Sequence, residues 1–525
     1  MANKNLFRTI AGALLPRTDR TNEAGGIAYA FDGEHALAQY AATGCLNSTF
    51  YATDAEQLDK VLQVCAKVRP EFIAKTAVYA RQKGFMKDLP ALLCAVLTTR
   101  SPELVEKIFD RVIDSPKMLR NFVQIMRSGV VGRKSLGTQP KRLIRTWLES
   151  RTDEQLFYGS VGNTPSLADV VKMVHPKPQW QSREALFGWL IGRDHNAEAL
   201  PEIVRQYEKF KHVVGTGNRP HEVPDVPFQM LTSLKLQTRE WKTIAKNASW
   251  QMTRMNLNTF ARHGVLDDRE MVKLIAERLR NPELIAKARV FPYQLMMAYT
   301  QATDVPRDIR EALQDAMEIA IQNVPKIDGK VYVCPDVSGS MHSPVTGYRQ
   351  GATTAVRCID VAALVAAAML RKNPDTEVIP FHDSVAKRDL NPRDSVMTNA
   401  KVLTSIPSGG TNCSAPLVEL NRVKAKGDLI IYVSDNESWV DSPHYGRFGG
   451  NATQTMQQWA EFKRRSPNAK MICIDIQPYA HTQAKERDDI VNIGGFSDQV
   501  FTLIAETAIG NTKDHWVNTI NKIEL

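Results

Sequence analysis

Apolar residues recur at helical spacing along the first part of the chain. Ser101-Pro102 has the N-cap and first-turn signature of a helix, and Leu104, Val105, Ile108, Phe109 and Val112 form the stripe that follows. EFIAKTAVYARQKG (71–84) repeats the pattern. Phe72, Ile73, Thr76, Ala77 and Ala80 share one face, and Gly84 stops it. ELIAKARVFPYQLMMAYTQ (283–301) is helical and broken by Pro292. Helix, short turn, helix, with few strand candidates, predicts either an irregular helical domain or degenerate helix pairs of the HEAT type.

The pattern changes near residue 325. KVYVCP (330–335), TEVIPF (376–381), DLIIYVSD (428–435), KMICIDI (470–476) and QVFTLI (499–504) read as apolar strands. Helical stretches lie between them, the clearest being DVAALVAAAMLRK (360–372), ended by Asn373-Pro374. Continuous apolar strands separated by helices predict a doubly wound parallel sheet covered on both faces. The boundary is placed at 320–328, giving domains 1–325 and 326–525. At 525 residues, more than one core is expected.

In such a sheet, ligands bind where loops converge at the carboxyl ends of strands. Three such loops carry oxygen donors. The first gives Asp336, Ser338 and Ser340, the second gives Thr411 after Gly409-Gly410, and the third gives Asp435. Two carboxylates and three hydroxyls, with no Cys or His, form a hard-oxygen set suited to Mg²⁺, or Mn²⁺, in octahedral geometry. Two carboxylates largely neutralise a divalent ion, so an incoming acidic oxygen is still attracted. A lone D-x-S-x-S is often a turn with Ser caps. Here all three parts occur in order. No phosphate loop or dinucleotide fingerprint is present. His342 and His382 flank the region and read as surface residues.

Charge separates the two parts. Residues 1–325 hold 45 Lys and Arg against 35 Asp and Glu, while 326–525 hold 22 against 22. The net charge of +10 therefore lies in the helical part, which points to a polyanion partner there. Between Asp114 and Glu149 there are eight basic residues and no acidic one: Lys117, Arg120, Arg127, Arg133, Lys134, Lys141, Arg142 and Arg145. Gly, Ser and Thr intersperse them, and backbone N–H groups in such loops bind phosphate. A weaker cluster comprises Lys235, Arg239, Lys242, Lys246, Arg254 and Arg262. Aromatics are 7%, and no signature of an RNP or KH module is present. Seven cysteines without a C-x-x-C pair fit reduced thiols in a cytoplasm. No apolar run is long enough to span a membrane. LFRTIAGALLP (6–16), interrupted by Arg8, reads as part of the fold rather than a signal core.

GRKSLGTQPKRLI, TRMNLNTFARHG, KARVFPYQL, DVSGSM, IPSGGTNCS and SDNES occur in that order across both domains. Together they resemble the Ro autoantigen family, bacterial-type members included, whose helical part is the TROVE domain. D-x-S-x-S, G-G-T and S-D on their own resemble the metal-ion-dependent adhesion site of von Willebrand factor A domains. The family resemblance implies HEAT-like helix pairs closed into a ring, bridged by a von Willebrand A-like domain. It implies a hole that takes single-stranded 3′ ends of misfolded or immature small non-coding RNA, and a basic outer surface that binds small Y-type RNAs. It places Arg133, Lys134, Lys141 and Arg142 near the hole. On the outer surface, Lys172, His175 and Lys177 remain available, while Glu154 and Leu167 stand where animal members carry basic residues.

The expectation is thus a cytoplasmic, monomeric RNA-binding protein, not an enzyme, acting in RNA quality control or processing, with a 3′ exoribonuclease as candidate partner and no role for DNA or a membrane. One rival is a scaffold whose metal site docks an acidic partner. Another is a metal-dependent nuclease, for which one mononuclear hydroxyl-rich site without a general base is poor equipment.

Overall fold

The structure is a computed structural model. It describes residues 15–43, 46–217, 222–288, 290, 292–322, 324–348, 356–439, 452–477, 479–496, 499–508 and 516–525. The segment LFRTIAGALLP lies outside the described residues except for its last two positions. The chain divides into two compact units. One gathers residues 1–89, 291–294 and 321–524; the other holds 90–290 and 295–320 with Leu525. The change of texture near 325 coincides with the chain's passage into the first unit at Ile321. The first 89 residues, helical by pattern, pack with the sheet.

The strands, in chain order, are β1 (Arg20–Thr21), β2 (Ile27–Ala30), β3 (Val331–Pro335), β4 (Glu377–Val378), β5 (Leu429–Ser434), β6 (Lys470–Asp475), β7 (His481–Thr482) and β8 (Ile490–Gly494). Five form one parallel sheet in the order β4-β3-β5-β6-β8. Every residue of β3 and β5 is buried, as strands covered on both faces require. Val333 pairs with Ile431, and Ile431 with Ile472, so branched side chains stack across the sheet. Helix Cys358–Lys372 is buried at every position from Cys358 to Leu370, which explains its run of Ala. The doubly wound reading is thereby met.

Two strand assignments need correction. TEVIPF shortens to Glu377–Val378, with Phe381 making isolated bridges to Asp336 and Val385. QVFTLI is no strand but the start of helix Gln499–Ala508, with Val500, Phe501, Leu503 and Ile504 buried. The fifth strand is instead β8, where Asn492 interrupts the apolar run. Asn492 is buried because Glu486 and the Ala484 carbonyl accept from its amide.

A second, antiparallel sheet joins β1, β2 and β7. Tyr29 of β2 pairs with Thr482, and its ring is buried in the core with Trp459 and Met456. Helix Gly33–Thr43 packs on β8. Lys75 of helix Pro70–Gln82 donates to the Asn521 carbonyl at 2.7 Å.

The other unit is helical. Pro102–Val112, Pro116–Ser128, Thr138–Ser150, Leu167–Val174, Gln181–Ile191, Arg269–Leu279 and Arg307–Ala320 are among its longer elements. The expected stripe of 102–112 is buried at Val105, Ile108, Phe109 and Val112, with Leu104 half-buried. Pro292 opens helix Pro292–Gln301, and the preceding helix ends at Ala288. Of the basic excess, 34 Lys and Arg against 26 Asp and Glu lie in this unit. Among the described residues, no helix is long and apolar enough to cross a membrane. The six described cysteines are buried.

Candidate functional site

Numbered among themselves, the five parallel strands run 2-1-3-4-5, so connections diverge between β3 and β5. A crevice at the carboxyl ends of those two strands is where a doubly wound sheet takes its ligand. Asp336 follows β3 and Asp435 follows β5. The Asp336 N–H donates to the Val433 carbonyl at 3.0 Å, carrying the sheet ladder to the site. Ser338 N–H donates to Asp336 Oδ1 at 2.9 Å, and Ser434 Oγ donates to Oδ2 at 2.6 Å. The Ser338 and Ser340 hydroxyls lie 3.3 Å apart. The second loop joins through Gly339 N–H to the Gly409 carbonyl at 2.9 Å. The third joins it through Trp439 N–H to the Thr411 carbonyl at 3.1 Å.

Gly409-Gly410 has a packing reason. A Cβ on Gly409 would collide with Asp383 and His382, and one on Gly410 with the Trp439 indole and Asp383. Only glycine lets the loop bring Thr411 this close.

All five predicted oxygen residues are buried: Asp336, Ser338, Ser340, Thr411 and Asp435. Burial raises the proton affinity of both carboxylates, and Asp336 raises that of Asp435 further. Buried like charges are stable only when protonated or paired with a cation. An all-oxygen donor set around two such carboxylates fits a hard divalent ion. Among the described residues, no cluster of three His, Cys, Asp or Glu side chains forms a metal site. The fit here depends on hydroxyls.

Around the loops lie residues that motif reading missed. Glu437 is fully buried, paired with His481 Nε2 at 2.6 Å, and accepts the Ala24 N–H at 3.2 Å. Asp475 accepts from Gln39 and Asn436. Burial, then Asp435, raises the proton affinity of the Tyr51 phenol. Glu437 follows Asp435 by two in SDNE, the one signal available locally. The others come from distant segments.

In the helical unit, the expected basic residues separate into two kinds. Some are engaged within the fold. Arg145 Nε donates to the Val174 carbonyl at 2.5 Å, Arg142 pairs with Glu106, and Lys242 pairs with Asp268 at 2.9 Å. Arg120 is half-buried with its guanidinium against Gly162, where a Cβ would collide with it. Arg254 and Lys141 are half-buried, and Arg133 packs beside Gly137. Others stand exposed: Lys117, Arg127, Lys134, Lys172, His175, Lys177, Arg262, and in the weaker cluster Lys235, Arg239 and Lys246.

Packing unites two segments distant in sequence. Helix 116–128 meets helix 167–174, and Arg127 and Lys172 both act on Asp169, holding it ionised after its hydrogen bonds from Ser166. His175 ends that helix in the left-handed region. Trp180, 60% exposed, follows three residues after Lys177. Leu167 is fully buried and Glu154 exposed, so a basic residue at 167 would need a different core.

Comparison with known proteins places this arrangement. Residues 330–508 match the family model of the Ro60 von Willebrand A domain. The RNA-binding protein RO60 of Deinococcus radiodurans is 23% identical, with 96% of this chain and 99% of that protein aligned. The RNA-binding protein RO60 of Caenorhabditis elegans is 23% identical over 51% of this chain and 42% of its own length. The crystal structure of the Deinococcus radiodurans Ro (RSR) protein superposes with a TM-score of 0.61 at 19% identity, covering 91% of this chain and all of that one. Helical elements with a von Willebrand A-like sheet domain are therefore the shared fold. Along nearly its whole length the chain is similar to a Ro protein, and its residues 330–508 match the von Willebrand A domain of the Ro60 type.

Proposed function

We propose that this protein binds small non-coding RNA through its helical unit, as a binding protein rather than an enzyme. The observation that carries the reading is the gathering of exposed cations from helices 116–128 and 167–174 and the 175–177 turn, in the unit that holds most of the positive charge. Two relatives are named RNA-binding proteins, which supports it. Phosphate contacts supply affinity, and unpaired bases add stacking with little base specificity. The RNA classes are those the family resemblance implies: 3′ ends of misfolded or immature transcripts, and Y-type RNA. The buried Leu167 and exposed Glu154 argue that a Y-type RNA is held differently than in animal members. The sheet unit binds Mg²⁺ through Asp336, Ser338, Ser340, Thr411 and Asp435. When bound, the ion offers an electrophilic position to an acidic oxygen.

The test is a filter-binding titration with a structured RNA bearing a single-stranded 3′ tail. With about four phosphates neutralised, affinity falls roughly as the third to fourth power of salt concentration. Replacing Lys117, Arg127, Lys172 and Lys177 with Ala together removes most of it. Salt-independent binding, or full affinity in the quadruple variant, overturns the reading. Mg²⁺ at a hundredfold excess over its Kd stabilises the protein by about 2.7 kcal/mol, an effect lost in Asp435→Ala.

A further inference from the structure

Both oxygens of the Glu437 carboxylate are held by the antiparallel sheet. Oε1 pairs with His481 Nε2 at 2.6 Å, and His481 stands opposite Ala30 in the β2–β7 ladder. Oε2 accepts the Ala24 N–H at 3.2 Å, in the turn that joins β1 to β2. The same turn reaches the next residue of the third loop. Asn22 Nδ2 donates to the Ser438 carbonyl at 2.8 Å, and Gly26 lies so close to that oxygen that a Cβ would collide with it. Asn22 Oδ1 accepts the Gly26 N–H at 2.7 Å, so one buried side chain both closes the turn and grips the loop.

The gripped backbone leads directly to the cation donors. Glu437 N–H donates to Asp435 Oδ1 at 3.3 Å. Cys413 N–H, two residues after Thr411, donates to Ser438 Oγ at 3.3 Å, so Ser438 joins the turn on one side to the second loop on the other. Between Asp435 and Glu437, Asn436 has φ +58°, a left-handed conformation that persists where the surroundings impose it. Two buried carboxylates also repel, so the loop that carries Asp435 needs fixing from outside itself.

We infer that the turn 22–26 is a fourth loop of the cation site, with Asn22 as its positioning residue: it holds the Ser438 carbonyl, and with it the backbone that aims Asp435 and Thr411. Cation binding and the docking of the turn then favour one another, because both use the third loop in one conformation. The N-terminal hairpin is thereby a handle on the site. Whatever draws residues 20–26 away weakens the hold on the ion, and the ion in turn secures the hairpin. The inference rests on the cation reading of the site above, and it adds a residue from outside the three motif loops.

The experiment uses the full-length protein and Mn²⁺, with free ion measured by electron paramagnetic resonance. Asn22→Ala removes the grip on Ser438 and lowers Mn²⁺ affinity about 10- to 100-fold. Asp19→Ala is the control. The Asp19 carboxylate accepts the Ala30 N–H at 2.7 Å at the open end of the hairpin, away from the third loop. Its loss loosens the hairpin but changes affinity by no more than about threefold. Equal weakening by both variants assigns Asn22 a role in hairpin stability only and overturns the proposal. Wild-type affinity in Asn22→Ala does so too. Mn²⁺ bound by wild type but not by Asp336→Ala supports the cation reading, so that an unaffected Asn22→Ala then overturns the role of the turn alone. No Mn²⁺ bound by wild type overturns both. Hydrogen exchange in the wild-type protein needs no variant: Mn²⁺ slows exchange of the Ala24 and Gly26 amides more than that of amides in helix 116–128. Slowing equal to that of the helix, or none, overturns the proposal.

Discussion

Arg183 shows what a buried cation does when it is not a ligand for RNA. Its Nε pairs with Asp153 at 2.5 Å, Nη1 donates to the Leu148 carbonyl at 2.8 Å, and Nη2 to the Arg151 carbonyl at 2.6 Å. The guanidinium thus binds three points around the end of helix 138–150. Arg183→Ala leaves two carbonyls without this donor and removes one of the donors to Asp153, which keeps Ser182 Oγ at 3.0 Å and some water contact. The expected loss is about 2–3 kcal/mol, read from the denaturant midpoint followed by helical circular dichroism. Trp180 is the opposite case, a large apolar ring left in water beside Lys177. Trp180→Ala should weaken tailed RNA by about 5- to 100-fold while sparing a blunt duplex, as stacking on an unpaired base requires. Equal weakening of both RNAs would point to a backbone contact instead. Nothing in the local sequence ranks these two residues, because burial is decided by which helices meet.

Elements were legible where their hydrophobic period was unambiguous. Helix 102–112 and strands β3, β5 and β6 follow their patterns closely. The exchange at the end of the sheet is instructive. QVFTLI has strand-like composition, yet its buried positions 500, 501, 503 and 504 have helical spacing. IVNIG has a buried Asn at its centre and becomes a strand, because the Glu486 carboxylate satisfies the side chain. The metal loops were legible because each donor sits in a short contiguous motif, two of them after strands and Thr411 in a loop between helices Val396–Thr404 and Ala415–Arg422. Glu437's partner His481 was not, because only tertiary structure brings it there. The turn at 22–26 belongs to the same class. Asn22 Nδ2 donates to the Ser438 carbonyl at 2.8 Å, and a Cβ on Gly26 would collide with that same oxygen. Gly26→Ala is expected to cost about 1–3 kcal/mol and to expose the amides of 22–26 to exchange before the rest of the unit.

For the whole molecule, the matter is which residues constitute a foldable piece. Residues 326–525 carry the parallel sheet but lack β1, β2 and helix Gly33–Thr43, which cover it within the same unit. Expressed alone, 326–525 should expose the surface that Tyr29 and Gln39 bury, bind a hydrophobic dye and lose its cooperative thermal transition. Supplying 1–89 in trans should restore the transition. A cooperative, dye-free 326–525 fragment would show that the N-terminal segment is dispensable. Electrostatics divide along the same line. The sheet unit has little net charge to contribute to a polyanion, so the same RNA titration run with and without Mg²⁺ should give nearly parallel salt slopes.

The pairing of Tyr29 with Thr482 also sets a schedule for synthesis. β2 leaves the ribosome with its partner strand still 453 codons away, by the numbers of the paired residues. At about 5–20 residues per second, that is roughly 20–90 s during which the nascent strand's apolar face has no native cover. Meanwhile the helical unit, read in between, can complete its own packing. Residues 27–30 therefore become native late, and nascent-chain chaperones have a clear target there.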